Sequence, residues 1–212
     1  PELVRGFFTG FDGYCFGYED AVTNPVLKGQ LYTDKHWFNY FLIGRMGFEP
    51  DLSDTRIADV FAAHYENQPN VDLLLEATTK AGKIIPLVNR AYFQTNSDYT
   101  WYVGGCWSHP HTAGYIDIKK WMRGDTTYVD GQTMSIEEYA IAIAKGETPN
   151  AQGRMLPTEV ADAIKTCAED VLAKVDQLRE AGSNSDNMTF AQHEFWALVS
   201  DDEAMAYLGL FY

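Results

Sequence analysis

The spacing of apolar residues divides the chain into a helical majority and two stretches that resist helix. From Asp34, the residues Trp37, Tyr40, Phe41 and Gly44 recur at helical spacing, with Asp34 as the N-cap. Gly47 and Pro50 end that helix, and Asp51 or Ser53 caps the next, whose apolar face is Ile57, Val60, Phe61 and His64. Asn67-Gln68-Pro69-Asn70 is a break. Val71, Leu74, Leu75, Thr78, Ile85 and Val88 then predict one long helix bent near Pro86, which has no N–H to donate.

Later segments carry clearer end signals. Ser135-Ile136-Glu137-Glu138 reads as a capping box, and Lys145-Gly146 as the stop of the helix it opens. Pro157 starts the most regular helix, with Val160, Ile164, Cys167, Val171, Val175 and Leu178 on one face and Ala181-Gly182 at its end. A polar loop, Ser183-Asn184-Ser185-Asp186-Asn187, precedes a final helix carrying Phe190, Ala197, Leu198, Met205, Leu208 and Phe211.

Two stretches break the helical pattern. Residues 1–33 alternate Gly6, Gly10, Gly13 and Gly17 with Phe7, Phe8, Phe11, Tyr14, Phe16 and Tyr18, which suits extended segments and turns. Residues 94–133 contain Gly104-Gly105, His109-Pro110-His111 and Gly114. There Thr126–Val129 and Gln132–Met134 flank Asp130-Gly131, a small hairpin signal. The expected fold is therefore mainly α: an irregular helical bundle over residues 34–212, preceded by a short extended, aromatic segment at 1–33, with one small hairpin.

Composition narrows the function. The 212 residues carry 16 basic and 30 acidic side chains, a formal charge of −14, which removes the basic footprint that nucleic acids and anionic membranes require. No apolar run reaches the roughly 18 residues of a membrane span. Aromatic residues make up 14% of the chain. Most belong to a core, but Trp and Tyr beside acids also suit surfaces that stack on sugar rings. Both ends of the chain, Pro1 with the apolar run behind it and Leu208–Tyr212, read as cut from a longer protein.

Candidate chemistry is sparse. Asp12, in Gly10-Phe11-Asp12-Gly13-Tyr14, and Glu19 set carboxylates among aromatics, as a sugar site would, although turn or cap roles account for them more simply in so acidic a chain. His109, His111 and Asp117 offer metal-binding atoms, but the intervening proline makes the pair a turn and no third histidine is near, so no metal and no cofactor is expected. His36, His64 and His193 fall on helical patterns and read as packing residues. Cys15, Cys106 and Cys167 lack any paired spacing and read as buried thiols. Arg45 stands near a helix C-terminus, where a cation offsets the helix dipole, or where its planar fork meets a carboxylate or sugar hydroxyl. No Ser-His-Asp signature, P-loop or dinucleotide fingerprint is present.

The stretch from Asp34 to Leu52, DKHWFNYFLIGRMGFEPDL, resembles the aromatic helix and following GRLxxxP(D/N) motif of α-glucuronidase-like glycoside hydrolases, the family 67 group and its relatives. Segments 135–139, 156–162 and 202–212 resemble their late helices more loosely. In that family a (β/α)₈ barrel bears the catalytic carboxylates and a mostly helical region follows. The resemblance implies that this chain is the helical C-terminal part, with residues 1–20 as a last barrel strand. A barrel of roughly 250 residues does not fit within it. It further implies a non-catalytic piece that supports or lines a sugar site, with Trp37, Tyr40 and Arg45 nearest the barrel and an oligosaccharide or polysaccharide bound through the parent protein. Met46 and Phe48 depart from the motif and leave the substrate open. Self-association into a homo-oligomer is expected of a piece separated from its neighbour. The alternative is a stand-alone carbohydrate-binding or protein-interaction module. A barrel encoded upstream favours the first reading, and an export signal just before Pro1 the second.

Overall fold

In the computed structural model the described residues are 25–92, 133–182 and 188–211. Helix accounts for 72% of them, and no strand occurs among them, so the mainly α expectation holds. The helices are α1 (Tyr32–Lys35), α2 (Trp37–Phe48), α3 (Asp54–His64), α4 (Val71–Ala81), α5 (Ile84–Tyr92), α6 (Ile136–Ala144), α7 (Pro157–Ala181) and α8 (Phe190–Phe211).

Several ends form as the sequence signals require. The Ser53 hydroxyl accepts from the Arg56 N–H at 3.2 Å, and the Ser135 hydroxyl from the Glu138 N–H at 3.1 Å. At the end of α6, Glu147 N–H reaches Ala142 C=O and Gly146 N–H reaches Ile143 C=O. This Schellman pair needs the φ of +73° that Gly146 supplies. Pro157 occupies the first position of α7, and the Glu159 carboxylate reaches back to the Leu156 N–H at 2.7 Å. Thr189 and Gln192 cap α8 reciprocally, at 2.8 and 3.3 Å.

Four expectations are corrected. Asp34 does not cap the helix of Trp37. It lies in the short α1, where its carboxylate accepts from Leu31 N–H, and α2 starts after His36 without a side-chain cap. The bent helix over 71–88 is two helices divided at Gly82-Lys83. Pro86 stands in the first turn of α5, where a missing N–H costs nothing. On α8 the buried stripe is Ala191, Phe195, Val199, Asp202, Ala206 and Gly209, while Phe190, Leu210 and Phe211 are exposed. Apolar residues surround that helix on all sides, so periodicity alone does not select a face. Small residues do, because they admit close neighbours. On α7 the same logic puts Ala168 in the buried seam in place of Cys167, which is half-exposed.

The chain forms two compact units, and α4, α7 and α8 each contribute residues to both. The first comprises residues up to Leu75 together with 178–200, and its core holds Leu52, Phe61, Tyr65, Leu74, Leu178, Phe195 and Val199. Here Gly182 is required: a Cβ on it would fall 2.2 Å from the Trp196 ring. The second comprises 76–177 and 201–212, with Ala77, Ile84, Val88, Val160, Ile164, Ala168, Val171, Val175 and Ala206 buried. Lys174–Glu76 at 2.9 Å and Lys80–Asp170 at 3.3 Å tie α4 to α7 at its surface. Thr133 pairs with Met155 in an isolated bridge, and Met134 N–H reaches Met155 C=O at 2.8 Å. The expected hairpin partner, 126–132, lies outside the described residues, as does all of 1–24.

Gly209 of α8 lies against Ile84 and Ala168. A Cβ there would come within 2.9 Å of Ile84 Cγ2. Overpacking of that kind costs about 1–3 kcal/mol, against a helix-propensity gain near 1 kcal/mol. Gly209→Ala is therefore expected to destabilise in the native background, and to be neutral or stabilising when combined with Ile84→Ala. Urea unfolding of the double-mutant cycle checks this, and an unchanged sign in both backgrounds would refute the close contact.

Candidate functional site

The most chemically distinctive cluster among the described residues belongs to the first unit. It starts from the α2 sequence Trp-Phe-Asn-Tyr-Phe, whose first turn presents Trp37 and Phe38 to α3, with Phe41 packed against both. The Trp37 indole stacks on the His64 imidazole, with ring centroids 3.8 Å apart and planes at 16°. Phe61 and Tyr65 lie 5.8 and 6.0 Å from it, and the indole N–H donates weakly to the Tyr65 hydroxyl at 3.4 Å. Phe38 meets Phe61 edge-on at 4.9 Å, and Tyr65 meets Phe195 of α8 edge-on at 5.7 Å. These edge and offset contacts suit the ring quadrupoles and add to the area that the rings bury.

A polar chain runs beside the rings. The Gln30 side-chain amide donates to Glu194 of α8, and the other Glu194 oxygen stands 3.5 Å from His64 Nε2. That nitrogen is buried and makes no hydrogen bond, so the approach to Glu194 is an electrostatic contact rather than a closed hydrogen bond.

The residues expected at a sugar site are not equivalent. Trp37 is half-buried and gives one ring face to His64. Tyr40 is half-buried too, and loss of water raises its phenol above the ordinary value. Arg45 is exposed and paired with Glu49 one turn on, at 3.1 Å. Eight residues separate Trp37 from Arg45, which at the helical rise is about 12 Å along the axis and roughly 80° around it. The helix therefore does not gather Trp37 and Arg45 at one point. Asp12 and Glu19 lie outside the described residues, as do His109, His111, Asp117, Cys15 and Cys106. Among the described residues no cluster of His, Cys, Asp or Glu is placed to hold a metal ion, and no helix is long and apolar enough to cross a membrane.

Two groupings escape sequence reading. His64 occupies an apolar-face position, so the pattern marks it for packing. Its partner Glu194 is far away in sequence, and nothing local announces the pairing. In the second unit, Asp202 is 5% exposed and its Oδ2 accepts from the Thr78 hydroxyl at 2.7 Å. Burial pushes its carboxyl up to about 7; the Thr78 hydrogen bond opposes that shift and the neighbouring Asp201 adds to it. At the surface, Glu138 is held below the usual carboxylate range, chiefly by the Arg154 hydrogen bond at 2.9 Å. No family model, curated protein or solved structure matches the chain.

The two motif residues at opposite ends of α2 separate by mutation. Trp37→Ala removes the ring that joins α2 to α3 and is expected to cost about 3 kcal/mol. Arg45→Ala breaks one exposed pair and is expected to cost less than about 0.5 kcal/mol. Chemical denaturation measures both, and a loss above about 1.5 kcal/mol for Arg45→Ala would mean that the arginine has a structural role beyond the Glu49 pair.

Proposed function

We propose that this chain is a non-catalytic helical module of a carbohydrate-active enzyme, of the α-glucuronidase-like group it resembles, that supports or lines the sugar site of a (β/α)₈ barrel. The observation that carries this reading is the two-sided character of α2, the helix that bears the motif. Its first turn is anchored through Trp37 to α3. Its later turns expose Ile43 and Met46, at 45% and 46%. An anchored helix that presents apolar side chains is a face for a neighbouring domain to cover. On this reading the ligand is an oligosaccharide or polysaccharide held by the parent enzyme, and Trp37, Tyr40 and Arg45 contribute at the edge of its site.

A second reading, a stand-alone carbohydrate-binding or protein-interaction module, draws on α6. That helix buries none of its residues and exposes Ile141 and Ile143 at 47% and 53%.

The purified chain is expected to show no turnover of aryl glycosides or uronate oligosaccharides, because glycoside hydrolysis needs two carboxylates set about 5–10 Å apart across the bond. It is also expected to self-associate through its exposed apolar faces, as sedimentation would show. In the full-length parent, Arg45→Ala is expected to lower kcat/KM while leaving the melting temperature within about 2 °C. Turnover by the isolated chain would overturn the proposal. Unchanged kinetics per folded molecule in the parent variant would remove Arg45 from the site. Tight oligosaccharide binding by the chain alone would favour the second reading.

A further inference from the structure

His64 is the last residue of α3, and side chains from two other elements of the first unit close on it. From α2 the Trp37 indole lies flat on the imidazole, with 3.8 Å between centroids. From α8 the Glu194 Oε2 stands 3.5 Å from Nε2, and Gln30 anchors the other Glu194 oxygen. Tyr65, next in the chain, meets the imidazole edge-on at 4.9 Å. Tyr65 and Glu194 are the titratable groups that face the ring among the described residues, and Glu194 is the acid of the two. The imidazole side chain is 29% exposed and the carboxylate 14%, so water and salt screen this pair less than the exposed pairs of α2 and α7.

A neutral imidazole uses this setting poorly. Its ring meets the indole as one uncharged plane on another, and its enclosed Nε2 makes no hydrogen bond. An added proton changes both contacts at once. The ring becomes a cation over the electron-rich indole face, and both of its nitrogens become donors, one of them toward a carboxylate. We propose that His64 is a proton-dependent clasp: charged, it binds α2 to α8 through the Trp37 ring and the Glu194 carboxylate, and neutral, it leaves that junction to ring packing. The clasp adds to the contacts of Trp37 with Phe61 and Tyr65, which persist in either state.

The direction follows from linkage. A contact strengthened by protonation contributes fully when the histidine is charged and fades as pH rises through its titration. A cation over an indole gains roughly 2- to 30-fold in an equilibrium constant over a neutral ring, the larger values belonging to covered sites. The apolar face that α2 offers a neighbour, Ile43 and Met46, is thereby better ordered in acid than above neutrality. That consequence rests on the sugar-site reading; the clasp itself does not.

Hydrogen exchange of the α2 amides from Phe41 to Phe48 in the whole chain, corrected for intrinsic rates, reads the clasp without ligand or parent enzyme. Protection in the native chain divided by that in His64→Gln is expected to be about 5-fold larger at pH 5.5 than at pH 8. The quotient cancels the pH response of groups other than His64. With Glu194→Gln in both chains the difference is expected to shrink to about 2-fold, and for the α7 amides from Val160 to Val171 the quotient is expected to stay the same at both pH values. The same α2 quotient at both pH values, a full-sized difference without the Glu194 carboxylate, or an equal difference in α7 would each overturn the clasp. Failure of the sugar-site reading would leave these ratios untouched.

Discussion

A helix approaches its neighbours closely only where its side chains are small, and α8 meets that condition along a single stripe. Ala191, Val199, Ala206 and Gly209 let other backbones come near, and Phe195 is the one large residue in the row. In the first unit Phe195 meets Tyr65 edge-on, which fixes α8 against the end of α3. In the second, Gly209 admits Ile84 and Ala168, which fixes it against α5 and α7. The dispersion gained at such contacts depends on the absence of extra atoms, so the fold tolerates enlargement there less well than truncation of an exposed apolar residue elsewhere.

Against that packing, the visible ion pairs contribute modestly. Arg45–Glu49 and Lys165–Glu169 are exposed pairs one turn apart, and water and salt screen them. Lys174 is better placed, because its ammonium is largely covered and meets both Glu76 and Asp170, which raises its affinity for the proton. Caps stabilise the helix ends by about 1 kcal/mol each. None of these local terms chooses which helices meet. Burial of Phe61, Tyr65 and Phe195 in one unit and of Ile84, Val171 and Val175 in the other does that, at about 2 kcal/mol for each large side chain.

Local signals were legible in the sequence, and long-range ones were not. Ser53, Ser135 and Gly146 each act through bonds to residues within four positions, and Pro157 through its own fixed φ, so their type and spacing suffice to place a helix end. Asp34 misled because two helices start within five residues of each other and one carboxylate serves only the first. The face of α8 could not be read, since apolar residues ring it and the choice rests on neighbours distant in the chain. The aromatic run of α2 announced itself, but not that Trp37 would lie on His64. His64 takes its chemistry from Trp37 and Glu194, and Asp202 from Thr78, and both sets of partners are far off in sequence.

The two covered acid contacts, half-buried Glu194 and buried Asp202, differ in a way that bears on what each unit can do. Glu194 accepts the Gln30 amide hydrogen bond and stands near the His64 imidazole, so two elements set polar groups beside it. Asp202 has a hydroxyl and, beside it, a like charge. The formal charge of −14 works in the same direction at longer range, since a surface field of negative sign disfavours one more buried anion. Added salt would damp that field while leaving the cost of removing the carboxylate from water nearly untouched, because ions screen exposed charges far better than buried ones. The second unit therefore carries the buried acid with a single hydroxyl partner, and the first carries the aromatic cluster. The buried acid and the motif-bearing helix thus belong to separate parts of the chain, joined covalently through α4, α7 and α8.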